Sequence, residues 1–245
     1  MDLITAKLAA DGALLSYKNR DGKQDFLNLG FTTHKFINKN GAQAHFVKNK
    51  ENVFIFCRGT EATALNDLLA DLNLFPKTHG EGFVHSGFRN EARKILIDVK
   101  LFVEKNKHLN IVLAGHSLGG AMSTYLAQEL HHAGYSVSLY TFGSPRVGDN
   151  DYCDCMENIP HWRFVNNNDV VTSVPPMALG FRHSGTIKYI SYTGDITNMS
   201  WKQRLWDQLR GRFRAICKFQ LFDGSFDHSM KLYHKKIKKH VDKQK

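Results

Sequence analysis

The sequence lacks long apolar runs, a recognisable export signal and a rich supply of cysteine. Its longest apolar stretches are strand-sized, such as residues 53–57, whereas a membrane-spanning helix needs about 20 apolar residues. The first 18 residues have neither the basic start nor the continuous apolar core of a signal peptide and predict an amphipathic helix. We therefore expect a protein that is cytoplasmic or exported without a signal peptide, and peripheral at membranes.

The four cysteines, Cys57, Cys153, Cys155 and Cys217, predict reduced thiols rather than a disulfide framework. The Cys-x-Cys pair at 153 and 155 lacks a second ligand pair at zinc spacing, so no metal site is expected. Hydrophobic residues make up 42% of the chain and the five prolines are scattered, which is typical of a globular protein. We predict one domain over residues 1–245, with a basic helical extension at about 229–245.

Short apolar runs alternate with helical patterns along the chain. The predicted strands cover residues 26–38, 42–47, 53–57, 111–114, 136–142, 162–165 and 187–192, and the predicted helices follow at 62–72, 86–102 and 117–130. The first two strands alternate in the manner of an antiparallel pair. The remainder predicts an α/β fold with a mainly parallel central sheet and helices on both of its faces.

The segment Gly115-His116-Ser117-Leu118-Gly119 contains the pattern G-x-S-x-G directly after an apolar strand and before a helix. Glycines allow the backbone to turn sharply there and leave a serine hydroxyl accessible, and the helix N-terminus favours developing negative charge beside it. Ser117 is the candidate nucleophile. The alternative is a glycine-rich turn with an inert serine.

A nucleophilic serine needs a histidine base, which in turn needs an orienting carboxylate. Asp169 follows a predicted strand and precedes a loop with two prolines, which suits the acid; Asp149, Asp151 and Asp154 are rivals in a polar segment between strands. The histidines after Asp169 are His183, His228, His234 and His240. His228 lies in a loop-like stretch before a helix and is favoured. His183 begins a strand, and His234 and His240 lie among lysines and are predicted to be solvated.

From residue 53 to the region of His228 the chain resembles the class 3 lipases, the group typified by secreted triacylglycerol lipases of filamentous fungi. The similar segments are residues 56–60, 84–88, 115–120, 142–148, 168–171 with Pro175 and Pro176, and 227–228. The resemblance implies an α/β-hydrolase fold with a helical lid, and an oxyanion hole formed by Thr60 and the backbone N–H of Leu118. It also implies that Asp71 helps to hold the oxyanion residue when the lid opens.

The segment from Thr60 to about Phe75 corresponds to the movable lid of that family. Its leucines at 65, 68 and 69 share one helical face, so Leu65, Leu68 and Leu69 would cover the site in water and meet lipid when the lid opens. A fixed surface helix is the alternative.

These residues predict a lipase that cleaves carboxylic esters through an acyl-enzyme, without a metal or organic cofactor. Glycerides and phospholipids, the latter as for a phospholipase A1, remain open as substrates. The non-enzymatic alternative is an inert lipase-like protein that binds membrane or nucleic acid. The net charge of +10 favours anionic partners of either kind, and no specific nucleic acid is expected.

Residues 201–219 predict an amphipathic helix that contacts anionic membrane. Its apolar positions are Trp201, Leu205, Leu209, Phe213, Ile216 and Phe219, and the opposite side carries Arg204, Arg210, Arg214 and Lys218. Lys202 and Arg212 interrupt the apolar stripe and Gly211 weakens the helix, which leaves packing against the protein core as the alternative. The lysines from 235 to 245 would add long-range attraction or form a solvated helix.

Overall fold

The computed structural model describes residues 2–18, 22–59, 76–79, 82–197, 199–217 and 227–244, with the backbone alone at 76–79 and 211–217. The helices are α1 (Leu3–Leu15), α2 (Lys23–Asn28), α3 (Ser86–Glu104), α4 (Leu118–His132), α5 (Asn150–Asp154), α6 (Trp201–Cys217) and α7 (Met230–Asp242). The strands are β1 (Thr33–Lys39), β2 (Ala42–Lys48), β3 (Asn52–Cys57), β4 (Pro76–His79), β5 (Gly82–His85), β6 (Asn110–His116), β7 (Val137–Phe142), β8 (His161–Asn166), β9 (Thr186–Ile190) and β10 (Ile196–Thr197).

Eight strands form the central sheet in the order β1-β2-β3-β6-β7-β8-β9-β10. The run from β3 to β9 is parallel, while β1-β2, β2-β3 and β9-β10 are antiparallel. The carboxyl ends of β6, β7 and β8 therefore meet at one edge, where ligand and catalytic sites of such sheets lie. Strands β4 and β5 form a separate hairpin.

Alternate residues of the sheet point to opposite faces and contribute to two separate apolar cores. On one face, residues such as Ile55 and Leu113 pack with helices α3 and α4. On the other, residues such as Phe56 and Phe142 pack with α1 and α7. Because both faces are covered, the parallel strands are apolar on both sides, which explains the uninterrupted hydrophobic runs in the sequence.

The structure corrects several local predictions. Residues 26–28, predicted to open a strand, belong to α2, because Phe26 alone turns into the aromatic core while its neighbours stay outside. Helix α1 is buried around much of its circumference and is less amphipathic than predicted, since its alanines let it lie against the sheet. The basic extension is helical as α7, and its side with Tyr233 and Ile237 is buried in the second core. Within the described ranges, no helix has the length and apolar character that crossing a bilayer requires.

Candidate active site

Ser117 lies at the turn between β6 and α4, at the carboxyl edge of the sheet. Its φ of 57° is positive, a conformation that costs energy for a residue with a side chain, and its backbone N–H donates to Phe142 O at 3.0 Å. The turn needs glycine at Gly119, where an added Cβ would lie 2.2 Å from Cys57 O. Strand β3 and helix α4 thus approach backbone to backbone, and this contact fixes the strained serine.

Asp169 and His228 form a buried hydrogen-bonded pair close to that turn. His228 Nδ1 lies 2.9 Å from both carboxylate oxygens of Asp169, whose Oδ1 also accepts from the Val171 N–H at 2.9 Å. Asp169 follows the end of β8, and His228 precedes α7, so two distant segments supply the pair. A carboxylate bound to Nδ1 holds the proton there and leaves Nε2 as the basic nitrogen.

The loop after β7 brings the pair and the serine to the same place. A Cβ on Gly143 would lie 2.6 Å from Asp169 Oδ2 and 3.0 Å from His228 Nδ1, and the preceding residue, Phe142, holds the N–H of Ser117. Ser117 Oγ and His228 Nε2 are both buried, and neither has a hydrogen-bond partner among the described residues. The hydroxyl can donate a hydrogen bond and the imidazole nitrogen can accept one. A catalytic hydrogen bond between two such groups often forms only when substrate binds.

Tyr233 on α7 completes the surroundings of the carboxylate. Its hydroxyl donates to Asp169 Oδ2 at 2.6 Å and accepts from the Asn166 N–H at 2.8 Å. Burial, followed by the charge of Asp169, raises the pKa of the Tyr233 phenol well above its ordinary value, so it remains a donor. Sequence reasoning missed this residue: the apolar period of α7 marks it as inward-facing but carries no sign of its acceptor.

His116, next to Ser117, supports the histidine from the other side. Its Nε2 donates to His228 O at 2.6 Å, its Nδ1 accepts from the Tyr17 hydroxyl at 2.7 Å, and the two imidazole rings lie 4.4 Å apart. Burial, and then the charge of His228, lowers the pKa of His116 well below its ordinary value. A neutral His116 therefore links Tyr17, in the turn after α1, to the backbone of His228.

The residue before the histidine ties its loop to the loop of the acid. Asp227 Oδ2 accepts from the Asn168 N–H at 3.1 Å, and Asn166 Nδ2 donates to Asp227 O at 2.8 Å. Because these bonds join the residues just before Asp169 to the residue just before His228, they fix the two segments relative to each other.

The rival residues have other partners. Asp149 caps α5 by accepting from the Tyr152 N–H, and Asp151 and Asp154 are exposed on that helix. His183 Nε2 lies 2.8 Å from Thr172 O. His234, predicted to be solvated, is half-buried and lies 2.6 Å from Asp11 Oδ1, since α7 packs on α1.

Thr60 and the lid residues Leu65, Leu68, Leu69 and Asp71 lie outside the described residues. The segment that leads to Thr60 does reach the site, since a Cβ on Gly59 would lie 3.2 Å from Ser117 Cβ. Leu118 is the first residue of α4, where backbone N–H groups point out of the helix and the dipole favours negative charge. A groove of about 800 Å³ lies at the opposite edge of the sheet, where β6 and β7 begin, and is remote from the site.

The chain is similar to known fungal lipases. It is 35% identical over 107 residues to a secreted mono- and diacylglycerol lipase of Fusarium solani, a match that covers 41% of this chain and 32% of that protein. It is 27% identical over 154 residues to a lipase of Rhizopus niveus, covering 58% of this chain and 39% of that one. The structure of the Rhizomucor miehei triacylglyceride lipase superposes with a TM-score of 0.61 at 25% identity, over 76% of this chain and 78% of the other.

The match with each of these two sequence relatives spans less than half of the relative's length. The family described as Lipase (class 3) matches residues 54–179, which is 126 of the 245 residues and includes Ser117 and Asp169. The sheet order and the helices on both of its faces agree with the α/β-hydrolase fold of the fungal structures. The chain belongs to the class 3 lipase family.

Proposed function

We propose that the protein hydrolyses carboxylic esters of lipids, with Ser117 as nucleophile, His228 as base and Asp169 as the orienting acid. The observation that carries this proposal is the strained, buried Ser117 close to the His228 imidazole, whose Nδ1 is bound by a carboxylate. Within the part of the chain that the structure describes, neither Ser117 Oγ nor His228 Nε2 has a hydrogen-bond partner. A purely structural serine would gain nothing from a positive φ, and strain of this kind is typical of functional sites.

In the proposed reaction, His228 Nε2 removes the Ser117 proton as Oγ bonds to the ester carbonyl carbon, whose oxygen becomes negative. The Leu118 N–H and Thr60 stabilise that oxyanion, and one such donor is worth on the order of 3 kcal/mol in the transition state. The imidazolium then protonates the departing alcohol, leaving an acyl-enzyme. Water, deprotonated by His228, attacks the acyl carbon, releases the fatty acid and restores Ser117. These steps require no metal or organic cofactor.

Glycerides or phospholipids are the proposed substrates, the latter in the manner of a phospholipase A1. Lipid esters are supported as the substrate class by the names of two relatives, a mono- and diacylglycerol lipase and a triacylglyceride lipase. Three exposed apolar side chains shortly after Asp169 favour a substrate that presents an apolar surface: Val170, Met177 and Leu179. Residues 60–75 are proposed to be the lid.

Anionic membrane is the proposed partner, contacted through α6. Trp201 is 64% exposed and Trp206 65%, and Leu205 and Leu209 are also exposed, which favours lipid contact over packing against the core. Arg210 is exposed, whereas Arg204 is half-buried on the side of the helix that faces the protein. The side chain of Arg214 and all of Lys218 lie outside the described residues. No specific nucleic acid is proposed. The compartment, cytoplasmic or reached without a signal peptide, stays a prediction.

The activity is tested by mass spectrometry of products from mixed glycerides and phospholipids. Ser117→Ala is expected to abolish fatty acid release, and a serine-directed phosphonate should label the wild type at Ser117 alone. Ser123→Ala is the matched control, since Ser123 is also a buried serine on α4. Full activity of Ser117→Ala would refute the proposed nucleophile. His228→Ala should also be inactive and His183→Ala active, and the reverse result would refute the proposed base.

The membrane contact is tested by sedimentation with anionic and zwitterionic vesicles at low and high salt. Changing Arg204, Arg210, Arg214 and Lys218 together to Gln is expected to weaken binding to anionic vesicles. The control changes four exposed lysines of α7 to Gln, which removes the same charge elsewhere: Lys231, Lys235, Lys238 and Lys239. Equal loss in both variants would mean that net charge, and not α6, governs binding. No preference of the wild type for anionic lipid would refute the proposed partner.

A further inference from the structure

Over residues 201–210, where its side chains are described, helix α6 is attached to the protein through a buried carboxylate, while the apolar side chains of that part are exposed. Asp207 is 5% exposed, and its Oδ2 accepts three hydrogen bonds: from the Tyr189 hydroxyl at 2.9 Å, the Tyr192 N–H at 3.0 Å and Asn167 Nδ2 at 3.2 Å. Among the described residues, no cation forms an ion pair with Asp207. A charge buried on hydrogen bonds alone depends strongly on their geometry.

The third of these bonds leads to the loop of the candidate acid. Asn167 and Asn168 immediately precede Asp169, and both are bound to α6: Gln208 Nε2 donates to Asn167 O at 3.0 Å, and Asn168 Nδ2 donates to Gln208 O at 3.3 Å. Asn167 has a positive φ of 34°, a conformation that must be held by its surroundings. Asp207 and Gln208 of helix α6 supply two of the hydrogen bonds that hold Asn167 in this conformation.

The same turn also reaches the candidate base. The Asn168 N–H donates to Asp227, the residue before His228. A displacement of Asn167 and Asn168 would therefore move Asp169 directly and His228 through Asp227. A shift of a few tenths of an ångström in such a pair is enough to lower a rate, because the acid must hold the imidazole in one orientation.

We infer that Asp207 is a positioning residue that couples the position of α6 to the turn before Asp169. Binding of α6 to a lipid surface therefore raises the catalytic rate. The second half of this inference rests on the lipid contact proposed for α6. The exposed side of the helix, with Trp206 next to Asp207, meets lipid, while the opposite side holds the turn. Lipid contact that orders α6 would order Asn167, and a less mobile Asp169 would follow.

A double-mutant cycle tests whether Asp207 acts through Asn167. The four proteins are the wild type, Asp207→Asn, Asn167→Gly and the double variant; glycine tolerates the positive φ while removing the side chain. The substrate is a soluble short-chain p-nitrophenyl ester. Asp207→Asn is expected to lower kcat on the order of tenfold, as for the weakening of one charge-assisted bond, with little change in KM. In the Asn167→Gly background the same substitution should have little further effect.

The four proteins are then assayed with vesicles of an anionic diether phospholipid, which offers a lipid surface without a cleavable acyl ester. Wild-type kcat toward the soluble ester is expected to rise on vesicle addition, and this rise should shrink in the three variants although all four sediment equally with the vesicles. If Asp207→Asn fails to fold, Gln208→Met, which removes the bond to Asn167 O, takes its place.

Additive effects of the two substitutions on kcat would overturn the positioning role, because a merely structural Asp207 acts independently of Asn167. An undiminished vesicle-induced rise in Asp207→Asn would overturn the coupling. If the wild type does not sediment with the vesicles, the lipid contact of the proposed function fails and the coupling with it. The cycle in water then still decides the positioning role.

Discussion

Replacing Tyr233 by phenylalanine tests how much the site depends on a residue whose hydroxyl binds the acid, Asp169. The Tyr233 hydroxyl donates to Asp169 Oδ2 and accepts from the Asn166 N–H. The substitution leaves the ring in place and removes both bonds. Asp169 keeps its bonds to His228 and to the Val171 N–H, so the pair persists with a less constrained carboxylate.

The expected loss of stability has two parts. A hydrogen bond to a charged group contributes about 1.5–3 kcal/mol, and a buried N–H left without an acceptor costs about 1–3 kcal/mol. Because phenylalanine gains apolar burial, the free energy of unfolding should fall on the order of 3 kcal/mol, a large part of the roughly 5–15 kcal/mol typical of a folded domain. If about half of the lost bond energy is felt at the transition state, kcat should fall roughly tenfold.

The assay combines urea denaturation, followed by tryptophan fluorescence, with kcat and KM on a soluble short-chain ester. Tyr125→Phe is the matched control, since Tyr125 is equally buried and donates to the Glu129 carboxylate at 2.7 Å on α4. It should lose about 1.5–3 kcal/mol of stability, as for one hydrogen bond to a charged group, and its kcat should stay unchanged. Wild-type kcat in a well-folded Tyr233→Phe would refute the view that Tyr233 holds Asp169 in its working orientation.

Three further outcomes are expected. Burial lowers the pKa of several histidines below 6.5, to about 3 in His45 and His161, about 4 in His85 and well below the ordinary value in His116 and His183. Because the unfolded chain then binds more protons, stability is present above pH 6.5 and is lost as pH falls toward the folded-state values, by roughly 1.4 kcal/mol per pH unit for each histidine. His85→Phe should reduce that slope in urea denaturation by one proton, and a flat profile between pH 7 and 5 would contradict the account. Gly143→Ala should lower kcat strongly, because its Cβ would lie 2.6 Å from Asp169 Oδ2 and φ is positive; near-normal kcat would show that the loop can shift. Tyr17→Phe should lower kcat several-fold by removing the hydrogen bond to His116 Nδ1, and an unchanged kcat would show that the His116 bond to His228 O needs no support from Tyr17.

Much of the fold followed from local pattern. The apolar runs at 53–57 and 111–114 became β3 and β6, and the glycine pattern fixed the turn between β6 and α4, because close backbone approach leaves a direct mark on residue type. The order serine, acid, histidine selected Asp169 and His228, which the structure brings together, although their roles stay predictions. Residues 26–28 were mistaken for a strand because a single inward phenylalanine fits either period.

The supporting residues could not be predicted in the same way. Tyr17 lies in the turn after α1 and Tyr233 in α7, at opposite ends of the chain, and each contacts the site because α1 and α7 pack together on one face of the sheet. Such contacts depend on which residues the topology makes neighbours, and neither periodicity nor composition contains that information.

The orientation of α6 shows the same limit most clearly. Its sequence has an apolar stripe, and a stripe alone is equally suited to a core and to lipid, since both exclude water. What turns the stripe outward is Asp207, a carboxylate on the opposite side, whose donors Asn167, Tyr189 and Tyr192 lie between 15 and 40 residues earlier in the chain. In the sequence Asp207 is one acidic residue in a basic helix and carries no sign of burial.

The sheet, by placing β9 beside β8, gathers those donors around one position. A buried carboxylate without such donors would be costly enough to leave the site, and the apolar side would then have packed inward. The polar attachment and the exposed apolar surface therefore have one cause, the set of donors at the carboxyl end of β8 and β9, which is also where Asp169 begins its loop.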